Sequence, residues 1–402
     1  MTQHTDKLFT SSFISACIGN FLLFMGVYLL LPVLPMYMLD TFGSSETAIG
    51  LILASYTIAA LAARPFSGFL LDMFQRKPIY LLAYAVTVLF FVGYPLVQCV
   101  MLFALLRVLH GLAFGVVSTA GNTVIIDIMP SSRRGEGLGY FGIANNLAMA
   151  VGPMIGLMLH EQTHSWNLIF YSAVGSGVLG LFFASRIKTN FRPACVREPL
   201  SLDRFFLMKG TRAGLCLLLL AIPYGITTSY MPLYAKEAGI VGNMGLFFSM
   251  MALGMMISRT VAGKSVDQGK ITQIIQIGGI IGLAAFCAFA MLGFFHLSLN
   301  NELERLGFFV VALMIGVGYG MMFPAYNTLF VDLAPHNRRA TASSTYLTSW
   351  DLGIGLGLFL GGYLGEISSY AMAFLIGAVM VFVSAGLFSV VTIPHFKRNK
   401  YR

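Results

Sequence analysis

Twelve apolar runs succeed one another along this chain, at 13–39, 47–71, 78–97, 99–126, 137–159, 166–186, 211–235, 243–265, 271–295, 305–330, 339–364 and 367–393. A helix rises about 1.5 Å per residue, so about 20 apolar residues carry it across the hydrocarbon of a bilayer. Lipid offers no partner to backbone N–H and C=O groups, which leaves the helix as the form such runs take. The expected fold class is an all-α polytopic membrane protein of twelve transmembrane helices. Composition agrees, with 57% apolar and 10% charged residues and a mean hydropathy of +0.80. Soluble domains carry about 25% charge, and disordered, collagen-like and disulfide-stapled chains are excluded by the same comparison. The first run is too long for a signal-peptide core and no small-residue cleavage site follows it, so it is expected to remain as a span.

The loops sort the basic residues. Lys7, Arg76, Lys77, Arg133, Arg134, the Arg186–Arg212 stretch, Lys264, Lys270, Arg338, Arg339 and the Lys397–Arg402 tail fall on one side, 20 of the 25 lysines and arginines. The opposite loops hold Lys236 and Arg305 beside Asp40, Glu46, Glu161, Glu237, Glu302, Glu304 and Glu366. The positive-inside rule makes the first side cytoplasmic, with both termini inside. The net charge of +9 is thereby explained by topology, and no nucleic-acid partner is expected.

Two halves repeat. Arg64-Pro-Phe-Ser-Gly68-Phe-Leu-Leu-Asp72 closes the second run and Arg259-Thr-Val-Ala-Gly263-Lys-Ser-Val-Asp267 the eighth, 195 residues later. Asn122-Thr123 through Asp127 and Pro130 to Arg133-Arg134 ends the fourth run, and Asn327-Thr328 through Asp332 and Pro335 to Arg338-Arg339 ends the tenth, 205 residues later. The expected organisation is an N-terminal six-helix bundle over 1–190, a cytoplasmic linker over 191–210 and a C-terminal six-helix bundle over 211–402. Duplicated bundles of this kind rock about a shared site and expose it to each side in turn.

The five cysteines, Cys17, Cys99, Cys195, Cys216 and Cys287, are odd in number and widely spaced, and form no disulfide framework or metal motif. No H-E-x-x-H, clustered-carboxylate or Walker A pattern is present. The chain is therefore expected to be no enzyme, to hold no metal or cofactor, and not to draw its energy from ATP; the proton gradient expected as the energy source follows from the resemblance below.

With these marks in place the chain resembles the major facilitator superfamily over nearly its whole length. Within it the chain looks like the twelve-span drug:H⁺ antiporter group, and most of all like bacterial sugar-efflux-like permeases. Gly68-x-x-x-Asp72-x-x-x-Arg76-Lys77-Pro78 is similar to the family's loop signature, with Met73 and Gln75 in place of its usual arginine and glycine. Arg107-x-x-x-Gly111-x-x-x-Gly115 resembles the motif whose arginine the family ties to proton coupling, with His110 in place of the usual glutamine. Gly152-Pro153-x-x-Gly156 is similar to the antiporter motif, and Pro32-Val-Leu-Pro35 to an exporter pattern. The resemblance implies a location in a bacterial cytoplasmic membrane.

The residues suggest roles of their own. Asp72 suits the N-terminus of a neighbouring helix, and Asp127 suits pairing with Arg76 or Arg64. These, with Arg259 and Asp267, are the candidate cytoplasmic gate, against the alternative of plain topological anchoring by loop charges. Arg107 and Asp351 lie deep in their runs, where an ionised group costs at least about 2.5 kcal/mol unless it faces a partner or a polar cavity. The corresponding positions of the other half are Ala312 and Asn146, so these charges are not part of the duplicated scaffold. Asp351 is the candidate proton carrier, Arg107 its responder or an anion binder, and His110, one turn from Arg107, a further titrating group; a helix–helix hydrogen-bond node is the alternative for each. Asn20, Asn122, Asn145, Asn146 and Asn327 either line a cavity or join helices. Tyr28, Tyr56, Tyr224, Tyr230, Tyr326, Tyr346 and Trp350 either wall a site for an amphipathic substrate or sit at the lipid interface. Gly152 and Pro153 are expected to loosen their helix. The expected activity is proton-driven export of a small organic molecule by a monomer, with proton-coupled uptake or uncoupled facilitation as the alternatives.

Overall fold

A computed structural model describes residues 7–130, 133–189, 206–239, 244–294, 302–334 and 339–400, and every regular element among them is helical. The helices are α1 (Ser11–Leu30), α2 (Val33–Phe42), α3 (Glu46–Met73), α4 (Arg76–Gly93), α5 (Val100–Ile128), α6 (Arg134–Thr163), α7 (Trp166–Ser185), α8 (Thr211–Glu237), α9 (Met244–Asp267), α10 (Ile271–Phe294), α11 (Glu302–Asp332), α12 (Arg339–Ile367), α13 (Tyr370–Leu387) and α14 (Ile393–Asn399). Among the described residues ten stretches are long and apolar enough to cross a membrane, and Met244–Arg259 is a shorter one. Adding α9 and α12 to those ten, and joining α2 to α1 and α14 to α13, gives the twelve spans read from the sequence. The linker expected at 191–210 lies mainly outside the described residues, as do the side chains of Asp72, Asn146 and Asp267.

Proline breaks one span expected as a single run and marks the far end of another. Pro32 lacks an N–H and its ring crowds the carbonyl of Tyr28. The chain turns there, with Leu31 N–H on Tyr28 O at 3.3 Å, and restarts as α2. Pro394 opens α14, and the turn before it, Phe388–Thr392, widens to a π-helix that carries the chain past the missing donor. Elsewhere hydroxyl side chains mark helix starts: Thr10 accepts from Phe13 N–H, Ser165 from Leu168 N–H and Ser369 from Met372 N–H.

The described residues form two compact units, 1–33 with 58–198, and 34–57 with 199–402. In the first, α1 packs on α6 and α7, and α4 on α5 and α7; in the second, α8 packs on α12 and α13, and α10 on α11 and α13. The pairings correspond helix for helix. Glycines bring the duplicated helices equally close. A Cβ on Gly115 would strike the backbone of Ala60, and one on Gly320 would strike the backbone of Met255. These glycines are 205 apart and their partners 195 apart, the two offsets of the sequence repeat. In lipid no hydrophobic force draws helices together, so such small-residue contacts and interhelical hydrogen bonds hold them.

The second unit includes the start of α3, which lies along glycines of α12. Gly362 meets the backbone of Glu46, Gly50 meets that of Leu358 and Phe359, and the Thr47 N–H donates to the Glu366 carboxylate at 2.7 Å. Large apolar side chains such as Met101, 80% exposed, and Val390, 75% exposed, cover the outer faces, the inside-out pattern of a lipid-solvated bundle.

Gly156 of α6 has the Leu29 carbonyl of α1 where a side chain would sit, whereas nothing lies within 4 Å of a Cβ on Gly142. Gly156→Val is expected to cost about 1–3 kcal/mol by overpacking and to lower the thermal midpoint of the purified protein. Gly142→Ala on the same helix is expected to leave that midpoint unchanged or raise it.

Candidate functional site

In the first unit a polar cluster is sealed between α4, α5 and α7. Gly93-Tyr94-Pro95-Leu96 ends α4, and the 3-10 turn Tyr94–Leu96 folds the Tyr94 ring back over α5. Arg107, only 3% exposed, donates from Nη1 to the Tyr94 hydroxyl at 3.1 Å. The hydroxyl lies 2.6 Å from His110 Nδ1. Arginine only donates, so the phenol oxygen accepts from it, and the tautomer of His110 sets the direction of the second bond. Phe91 stands edge-on to His110 at 5.0 Å, and Phe103 and Phe170 lie 5.1 and 5.8 Å from Tyr94. A permanent cation is thus wired to a titratable ring through one phenol inside an aromatic shell. Tyr94 was not singled out in the sequence; its signal is a hydroxyl-bearing aromatic beside a proline at the end of an apolar run.

At the other end of the same helices Arg76 pairs with Asp127. Arg76 Nη1 lies 2.8 Å from Oδ1 and 3.0 Å from Oδ2, with both side chains mostly buried. Its Nε–H donates to the Leu71 carbonyl of α3 at 3.2 Å. Of the two arginines considered for Asp127, Arg76 makes this contact, while Arg64 lies half-buried on α3. Asp127 stands near the C-terminus of α5 and Arg76 at the N-terminus of α4, the ends where the helix dipole opposes each charge. Neither charge is accounted for by its own helix, and the pair accounts for both. One guanidinium ties together the ends of α3, α4 and α5.

The antiporter-like motif faces α1. A Cβ on Gly152 would lie 2.8 Å from the Tyr28 Cβ and 2.9 Å from the Leu29 nitrogen, and Pro153 is buried inside α6. Tyr28 is half-buried and stacks on Phe24. Asn20 is 5% exposed on α1, Asn145 is half-buried, and Asn122 on α5 is exposed.

The second unit holds Asp351, half-buried on α12, beside an aromatic enclosure. Tyr224 of α8 lies 4.9 Å from Tyr319 of α11 and 5.0 Å from Trp350 of α12. Phe323 of α11 meets Trp350 edge-on at 4.5 Å. The sequence pointed to Tyr224 and Trp350 but not to Tyr319 or Phe323, which lie in an uninterrupted apolar run. Arg259, read as a gate residue by its motif position, has its guanidinium over the Phe323 ring at 5.9 Å. Tyr230 is fully buried and donates to the Leu358 carbonyl at 2.8 Å, tying α8 to α12. Tyr326 is fully buried against Phe388, and Asn327 is exposed. Arg107 and Asp351 therefore belong to different units. Among the described residues no group of three His, Cys, Asp or Glu side chains is placed to hold a metal ion.

The family model for the Major Facilitator Superfamily matches residues 16–358 and 280–401. The chain is 19% identical over 356 residues to the staphylopine export protein of Staphylococcus aureus, covering 85% of this chain and 86% of that protein. It is 31% identical over 159 residues to the quinolone resistance protein NorA of Staphylococcus aureus, 39% of this chain and 40% of that one. The crystal structure of a D-xylose-proton symporter shares the fold with a TM-score of 0.78 at 15% identity, covering 97% of this chain and 99% of that chain.

Two outcomes are expected from this geometry. In a double-mutant cycle, Arg76→Gln and Asp127→Asn each destabilise the protein, and the double mutant loses less than their sum by about 1–2 kcal/mol, read from thermal unfolding in detergent. Tyr94→Phe keeps the ring but removes the hydroxyl that Arg107 and His110 both contact, and is expected to cost about 1–3 kcal/mol in the same assay.

Proposed function

The chain belongs to the major facilitator superfamily, and on that premise we propose that it is a proton-driven exporter of a small organic molecule, working by alternating access. It is a multi-pass membrane transporter and not an enzyme. The observation that carries proton coupling is the burial of Arg107 in hydrogen-bond contact with Tyr94, where the second repeat has Ala312. A charge kept in the membrane interior without a counterpart in the repeat is retained for work, because scaffold alone would have duplicated it. Asp351, likewise unmatched, takes and gives the proton. Moving a bare carboxylate through the membrane interior costs at least about 2.5 kcal/mol, so its proton occupancy and the conformational exchange are linked. Arg107 responds to that charge through Tyr94 and His110. Arg76 and Asp127 hold the cytoplasmic ends of α3, α4 and α5 in one arrangement and must separate for another.

Export is favoured over uptake by two relatives named for staphylopine export and quinolone resistance. The protein then works as a monomer in a bacterial cytoplasmic membrane, with both termini inside by the loop charges, and its partners are the substrate, protons and lipid. No metal or organic cofactor enters this scheme.

The test uses proteoliposomes with a pH-sensitive dye inside, challenged with cations, sugars, amino acids and siderophore-like acids. At least one compound is expected to move protons opposite to itself in the wild type. Asp351→Asn and Arg107→Gln are expected to abolish that proton movement. Movement of protons and compound in the same direction would replace export by symport, and full coupled transport by Asp351→Asn would remove the proton role of that residue.

A further inference from the structure

We propose that the enclosure of Tyr224, Phe323 and Trp350 around Arg259 is an anion subsite that takes the carboxylate of an amphipathic organic acid, with the apolar body of the acid against the rings. The inference deepens the export reading and rests on it, because it names the class of molecule carried.

Arg259 stands eight residues before Asp267, about 12 Å from the end of α9. The residue is half-buried, yet its Nε and Nη2 are sealed from solvent and have no hydrogen-bond partner. Those two nitrogens form one edge of the guanidinium, the edge whose parallel N–H bonds match the two oxygens of a carboxylate. The Tyr224 hydroxyl is also buried and unpartnered, although other buried tyrosines donate to backbone carbonyls, as Tyr319 does to Leu220 at 2.7 Å. The charge of Arg259 acts on Tyr224 and Tyr346. Three unpartnered donors therefore gather in one enclosure. Buried donors left unmade are costly, and the contact with Phe323 at 5.9 Å sits at the outer limit of a cation–π attraction. What such a group of donors lacks is an acceptor with negative charge.

The walls define the rest of the ligand. Tyr224, Tyr319, Phe323 and Trp350 are buried rings from three helices, in tilted and edge-on contact. They offer apolar faces that suit an aryl or alicyclic body, with Asp351 the next residue after Trp350 on α12. Neither a cation nor a neutral sugar supplies the negative charge that the guanidinium lacks.

The experiment measures binding without any gradient. Trp166 and Trp350 are the two tryptophans of the chain, so Trp166→Phe leaves Trp350 as the sole emitter. That protein, in lipid nanodiscs, is titrated with 3-phenylpropanoate, with its amide and with 3-phenylpropylamine, and Trp350 emission is followed. The acid is expected to bind at least about tenfold more tightly than the amide. Arg259→Gln is expected to remove that preference while leaving amide affinity unchanged, and Tyr224→Phe to weaken the acid about threefold. Equal binding of acid and amide, best binding of the amine, no response to the acid, or an acid preference that survives Arg259→Gln would each overturn the subsite. If Arg259→Gln does not fold, the acid-to-amide ratio of the parent and the Tyr224→Phe result decide. A proton-driven exporter of cations passes the transport assay and fails here, whereas an uncoupled carrier of acids fails there and passes here.

Discussion

Hydrocarbon offers no hydrogen bonds, and the arrangement of this protein follows from that lack. Each polar group inside a span must find its partner within the protein or leave the lipid. Four buried tyrosines obey by bonding to helix carbonyls: Tyr84 to Gly19, Tyr230 to Leu358, Tyr234 to Phe289 and Tyr319 to Leu220. The same phenols join helices that have no hydrophobic reason to associate, since lipid tails are as apolar as leucine. Glycines complete the work by letting backbones touch. The donors of Arg259 and Tyr224 are among the buried ones that find no such partner within the protein.

Duplication makes the exceptions legible. Gly115 and Gly320 carry equivalent crossings, and Gly152 and Gly156 on α1 correspond to Gly357 and Gly361 on α8. Close packing of this kind is common to both halves and says little about transport. The unmatched residues are Arg107 against Ala312, Asp351 against Asn146 and Pro153 against Leu358. Each puts a charge or a missing backbone donor where the other half has none. Together they make one half differ from the other in charge and in backbone donors at matching positions.

The fold was legible in the sequence because apolar run length and the placement of basic loops are additive signals spread over the whole chain. The break at Pro32 and the π turn at Phe388–Thr392 were not read, since a long apolar run masks a local backbone accommodation. The polar clusters were read in part. Arg107, His110, Asp127 and Asp351 announce themselves as charges or imidazoles within apolar runs. Tyr94, Tyr319 and Phe323 do not, because an aromatic in a membrane helix looks alike whether it faces lipid, packs, or frames a site. Arg259 was assigned by motif position, whereas its surroundings depend on where α8, α11 and α12 bring their rings, a tertiary matter that spacing along one helix does not encode.

The correspondence of glycine contacts gives the protein an internal reference. Gly152 rests on the backbone of Tyr28 and Leu29, and Gly357 on that of Ile222, so enlarging either residue strains an equivalent crossing in its own half. Only Gly152 adjoins a proline, Pro153. Whatever an enlarged Gly357 does is the effect of the crossing alone. Any additional effect of enlarging Gly152 belongs to the proline-bearing turn of its helix, so the duplication has left beside this specialised element its own unspecialised copy.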